Sequence, residues 1–109
     1  MAGQQREVVW TLQGQLTLDE AVAYIAENSL VSAERLLESA LEAGASLALM
    51  SERGRIVPEL DKPNIREIFV QRYRLIYEIR ETKVDILAFL HGARDFASWQ
   101  RSINGGEAF

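Results

Sequence analysis

Residues 66 to 80 read REIFVQRYRLIYEIR, two short apolar runs flanking a cluster of arginines. From Tyr73 onward the stretch alternates: Tyr73, Leu75, Tyr77 and Ile79 fall on one side, and Arg72, Arg74, Glu78 and Arg80 on the other. Ile76 alone interrupts the second side. A period of two marks a strand that lays one face on a core. The apolar side predicts a sheet packed under helices, and the arginine side predicts a face open to a partner.

Upstream of this stretch the pattern changes to the helical period. EVVWT, residues 7 to 11, is a short β-prone run and reads as an opening strand. In TLDEAVAYIAEN, Thr17 and Glu20 have the spacing of a capping box, and Leu18, Ala21, Val22, Ile25 and Ala26 form one apolar stripe. Ser29 or Ser32 caps a second start, followed by a longer stripe of Ala33, Leu36, Leu37, Ala40, Leu41 and Leu47. The pair reads as a helix hairpin whose Glu27, Glu34, Glu38 and Glu42 form a solvated face. Gly54 then offers a left-handed stop.

Downstream, β patterning occupies residues 56 to 60, 66 to 70, 73 to 80 and 84 to 91, separated by links short enough for hairpins. VDILAFL is apolar on both faces, as a strand between two neighbours should be. The fold class expected is α+β: an N-terminal strand, a helix hairpin, then an antiparallel meander sheet, of β-α-α-β-β-β type. One face of that sheet is expected to lack a cover. The tail, FASWQRSINGGEAF, predicts one short helical turn and a disordered end. One domain over residues 1–109 is expected, with a core over about 7–96 and a tail over 97–109.

Composition excludes several classes. With 109 residues and no cysteine, neither a disulfide framework nor a thiol nucleophile exists, and the usage fits a reducing cytoplasm. No apolar run approaches the roughly 20 residues of a membrane span, and the start lacks a signal-peptide layout, so a cytoplasmic protein without membrane association is expected. There is no phosphate-binding glycine loop, metal-ligand cluster or triad spacing, so no metal and no cofactor is expected. Net charge is −4, against general nucleic-acid binding. Residues 1 to 52 hold 2 basic and 8 acidic groups, whereas residues 53 to 109 hold 10 basic and 8 acidic. The arginine-bearing half therefore suits an anionic or acidic partner.

GRIVPEL, then IREIFVQRYRLIYEI, then VDILAFLHGARD, preceded by VVWT and AVAYIAENS, closely resembles the RelE/ParE superfamily of toxins from bacterial type II toxin–antitoxin systems, the plasmid-stabilisation proteins. The resemblance runs from about Val8 to Phe96. It rests on the ordered set Gly54-Arg55, Pro58-Glu59, Arg66-Glu67, Tyr73-Arg74, Tyr77, His91 and Arg94. It implies a cognate antitoxin whose helical segment wraps the toxin, and growth arrest when that antitoxin is lost. Two chemistries divide the superfamily. ParE-like members inhibit DNA gyrase without known hydrolytic chemistry; RelE-like members cut messenger RNA on the ribosome.

RNA cleavage without a metal needs a base, an acid and cations around the phosphorane. The candidates are His91, the single histidine, with Arg66, Arg74 and Arg94, helped by Glu67 and Tyr77. His91 shares strand parity with Leu87 and Phe89 and opposes Val84, Ile86, Ala88 and Leu90. As a structural residue it would cap the sheet edge beside Glu67 or Tyr73. Arg55, Arg66, Arg74 and Arg94 equally suit an ion-pair lattice with Glu59, Glu67 and Asp95. Arg72 and Arg80 read as solvated strand-end charges, and Tyr73 and Tyr77 as core.

The acidic balance and the scarcity of lysine favour the ParE-like branch, hence gyrase inhibition. A RelE-like endoribonuclease acting on the ribosome and its mRNA is the alternative, and a degenerate, non-toxic antitoxin-binding module the second. The surface expected to meet target or antitoxin comprises Arg55, Arg66, Arg72, Arg74, Arg94, Phe96, Trp99 and Arg101. Phe96 and Trp99 are equally suited to docking on the sheet edge.

Overall fold

A computed structural model describes residues 5–105 of the chain. The element order is β1 (Glu7–Trp10), α1 (Leu12–Ala26), α2 (Leu30–Ser46), a single 3₁₀ turn (Ser51–Arg53), β2 (Arg55–Ile56), β3 (Ile65–Val70), β4 (Tyr73–Ile79), β5 (Lys83–Leu90) and α3 (Gly92–Gly105). The five strands form one sheet in the order β1-β5-β4-β3-β2. β2 through β5 are antiparallel neighbours. β1 instead runs parallel to β5, so the sheet is mixed rather than a pure meander. The helix hairpin supplies the long crossover that a parallel pair requires.

α1 starts earlier than its capping box predicts. Thr11, expected as the end of the first strand, is the cap: its hydroxyl accepts from the Gly14 N–H at 3.0 Å and donates to the Ile86 carbonyl at 2.7 Å. Thr17 lies inside the helix, where its hydroxyl donates to Gln13 and accepts from the Phe89 N–H at 2.9 Å. A helical hydroxyl thus bonds β5 and ties α1 to the sheet. Ser29 caps α2, as its position predicts. Ala33, Leu36 and Ala40 are buried, whereas Leu41 stands exposed.

The apolar side of β4 behaves as its alternation predicts. Tyr73, Leu75 and Tyr77 join Leu18, Leu36, Leu47, Ile86 and Phe89 in a core beneath α1 and α2, with Ile79 packed against it. The opposite sheet face is not open. Val57, Ile65, Ile76, Ala88 and Leu90 meet Phe96 and Trp99 of α3 in a second core. Ile76, the residue that broke the alternation, is fully buried there. The tail that predicted one turn is a 14-residue helix because it has an apolar sheet face to lie on. Residues 106–109, expected to be disordered, lie outside the described residues.

Two local readings change. The predicted strand over residues 56 to 60 shrinks to Arg55–Ile56, after which Leu60 and Asp61 donate back to the Val57 carbonyl in a turn. Strict alternation in β5 fails at a bulge: Ile76 faces Ala88 while Tyr77 faces Ile86, leaving Leu87 unpaired. Val84, Ile86 and Phe89 therefore share the α1–α2 side, and Ala88 and Leu90 the α3 side. Among the described residues no helix is long and apolar enough to cross a membrane.

Candidate functional site

The arginine side of β4 meets carboxylates before it meets solvent. Arg74 donates from Nε to Glu67 Oε1 at 2.6 Å and, through both terminal nitrogens, to the two Glu59 oxygens at 3.0 and 2.8 Å. Arg55 donates to the second Glu67 oxygen at 2.6 Å. Glu67 is thereby shared by two guanidiniums. Its side chain is 0% exposed and that of Arg74 11%, while Glu59 keeps 41%. The bidentate fork lowers the pKa of Glu59: the Arg74 hydrogen bonds hold its carboxyl below the usual carboxylate value. Arg74 is held more firmly charged in return, again chiefly through Glu59.

Apolar partners complete the lattice. The Arg74 guanidinium lies 4.5 Å from the centroid of the Phe96 ring, and Arg55 lies 5.4 Å from that of Phe69. The first contact couples β4 to α3. Arg66 follows a different logic from the ion pairing its sequence context suggests. It donates to the carbonyls of Pro63 and Gly54 at 3.2 and 3.1 Å, so it binds loop backbone instead of a carboxylate.

Beside it the Tyr77 hydroxyl accepts from the Gly54 N–H and donates to the Ser51 carbonyl, and burial pushes its pKa up. Gly54 is extended, not left-handed, with φ −83°. Glycine is needed there for space, since a Cβ would fall 2.5 Å from the Glu67 carbonyl oxygen and 2.6 Å from the Tyr77 hydroxyl.

His91 lies elsewhere. It follows β5 and lines a groove of about 1390 Å³ between α1 and the start of α3. Its backbone N–H donates to the Asp95 carboxylate at 3.2 Å, and its ring tilts over Tyr73 with centroids 5.1 Å apart. Tyr73 in turn stacks on Phe89 at 4.8 Å. Burial raises the pKa of Tyr73, and the nearby Asp95 and Tyr24 add to the rise. The turn residue Arg72 and the α3 residue Arg94 line the same groove and are exposed.

Of these nine residues, the eight proposed contacts and His91, six fall into three groups. Arg55 and Arg74 belong to the lattice and Arg66 to loop support, while His91, Arg72 and Arg94 share the groove. Phe96 and Trp99 are 3% and 6% exposed and pack on the sheet face beneath α3 rather than at its edge, with Trp99 also lining the groove. Arg101 is exposed on α3. Arg80, read as a plain solvated charge, pairs with Asp85 at 2.6 Å. Sequence reasoning missed the α1 wall of the groove, Gln13, Thr17, Glu20 and Tyr24, because off-stripe helix positions carry no signal of what faces them. Among the described residues no three His, Asp or Glu side chains converge as a metal site.

Comparisons extend this picture. A search of curated proteins finds no match. Among solved structures, the fold is similar to a chain of the chromosomal ParDE TA system from P. aeruginosa, with a TM-score of 0.67 and 15% identity, covering 82% of this chain and 98% of that one. That likeness confirms the α+β architecture. The sequence also matches the family model of the ParE toxin of type II toxin-antitoxin system, parDE, over residues 8–96. Since that match spans most of the chain, this protein belongs to the ParE toxin family of type II toxin–antitoxin systems.

Proposed function

We propose that this protein arrests growth by binding and inhibiting DNA gyrase, and that a cognate antitoxin, binding through a helical segment, neutralises it. The observation that carries the reading is the state of Arg74. An RNA-cleaving centre needs cations presented to a phosphorane. Here the strand arginine is claimed on three sides by Glu67, Glu59 and the Phe96 ring. Arg66 is spent on loop carbonyls. Of the four groups offered for RNA chemistry, only His91 and Arg94 stay exposed, and the net charge of −4 works against a ribosomal surface. A toxin acting by protein contact needs none of these groups as an acid or base.

Parallel assays on the purified protein, freed of antitoxin, test the reading. Supercoiling by gyrase is expected to be inhibited while messenger RNA on programmed ribosomes stays intact. Ribosome-dependent cleavage abolished by His91→Ala would replace this reading with the endoribonuclease one. Failure of both assays, with no growth arrest on expression, would identify a non-toxic antitoxin-binding module.

A further inference from the structure

The groove between α1 and α3 brings together two arginines that the fold leaves without a partner. Arg55, Arg74 and Arg80 are ion-paired, and Arg6, Arg53 and Arg66 donate to oxygens of the chain itself. Arg72 and Arg94 make no such bond among the described residues, and both line this one groove. Arg72 arrives there through a two-residue β3–β4 turn in which Gln71 takes φ +56°. Arg94 arrives through Gly92, whose φ of +80° lets the chain turn from β5 into α3.

Tyr73 adds an independent sign. The residue is only 8% exposed, yet its hydroxyl has no hydrogen-bond partner among the described residues. No fully buried side-chain oxygen or nitrogen among the described residues lacks a partner, so this hydroxyl is not sealed off but opens on the groove as a free donor. The ring is held rigid by the stack on Phe89 and the tilted contact with His91. A rigid donor lining the same groove as two exposed guanidiniums is preorganised for a carboxylate.

From these observations we infer that the α1–α3 groove grips an acidic segment of the inhibited target protein, with Arg72 and Arg94 pairing its carboxylates and the Tyr73 hydroxyl donating to one of them. The α1 wall decides between protein and nucleic acid. Glu20 stands on that wall, and Asp95 turns its carboxylate toward the His91 N–H. A run of phosphates would meet this acidic wall, whereas a peptide whose spaced carboxylates reach Arg72 and Arg94 and whose backbone N–H groups face Glu20 satisfies both sides.

The inference rests on target inhibition by protein contact, and the test separates the two. The full chain is assayed for inhibition of purified gyrase as wild type, Tyr73→Phe, the double variant Arg72→Glu with Arg94→Glu, and a charge-matched control, Arg35→Glu with Lys83→Glu. The groove double is expected to lose at least about tenfold in inhibition, Tyr73→Phe about three- to tenfold, and the control less than about twofold. Melting temperature and antitoxin binding should match wild type throughout.

Equal losses in groove and control variants would overturn the inference. So would groove variants that still inhibit but escape the antitoxin, or a wild-type affinity for labelled single-stranded RNA that only the groove variants lose. If wild type leaves gyrase untouched, the gyrase reading falls alone. Growth arrest then decides the groove: arrest lost with the groove double and kept with the control supports it on another protein target, and arrest by both overturns it.

Discussion

Arg74 shows how one residue is read differently by pattern and by packing. Alternation assigns it to an open face, but Glu67 on the neighbouring strand and Glu59 in the loop turn it inward. Removing it leaves Glu67 fully buried with Arg55 as its remaining partner, so Arg74→Ala is expected to cost about 3 kcal/mol by denaturant titration. Glu59 is partly solvated, so Glu59→Gln should cost less than about 1 kcal/mol.

Acidity gives a second check at this scale. The carboxyl of Glu59 is lowered from 4.5 on folding, so its contribution is fully present above that pH and is lost as pH falls through the lowered value. Acid titration of stability should therefore be shallower in Glu59→Gln. Tyr73 and Tyr77 are raised from 10.0, which places their loss of stability on the alkaline side as pH climbs past that value. Ultraviolet absorbance should show both ionising only as the protein unfolds.

Elements hold together through close backbone approach and through one late-arriving helix. A Cβ on Gly14 would run into the Ile86 carbonyl oxygen, where α1 crosses β5. Gly14→Ala should force the two apart and cost about 1–3 kcal/mol in thermal or chemical unfolding. α3 depends on its apolar side. Phe96→Ala removes both a core ring and the partner of Arg74, with an expected loss of about 3–5 kcal/mol. Hydrogen exchange in that variant should rise first along α3, since the α1–α2 core lies on the other face of the sheet.

For the whole molecule, the two helical layers bring Arg72 and Arg94 of an acidic chain to one groove, beside Glu20 and Asp95. Generic duplex DNA and ribosomal RNA should show no mobility shift with this protein at physiological salt, while an acidic protein partner should bind with an affinity that falls as salt rises. Retention of duplex DNA at that ionic strength would contradict the charge argument.

Sequence by itself determined the fold class, the helix hairpin, the core side of β4 and the family, because local periodicity and ordered residue combinations carry those directly; the choice of Ser29 over Ser32 as the α2 cap came from the structure. The ion-pair lattice that the sequence offered as one alternative forms among Arg55, Arg74, Glu59 and Glu67, but leaves out Arg66, which binds loop carbonyls, and Arg94. The parallel pairing of β1, the bulge at Leu87, the extent of α3 and the groove joining Arg72, Tyr73, His91 and Arg94 were decided only by tertiary structure. Each depends on what lies opposite a residue rather than beside it in the chain. A tail with a weak helical pattern becomes a helix only where a sheet face lacks a cover, and an arginine becomes structural only where a carboxylate from a distant segment reaches it.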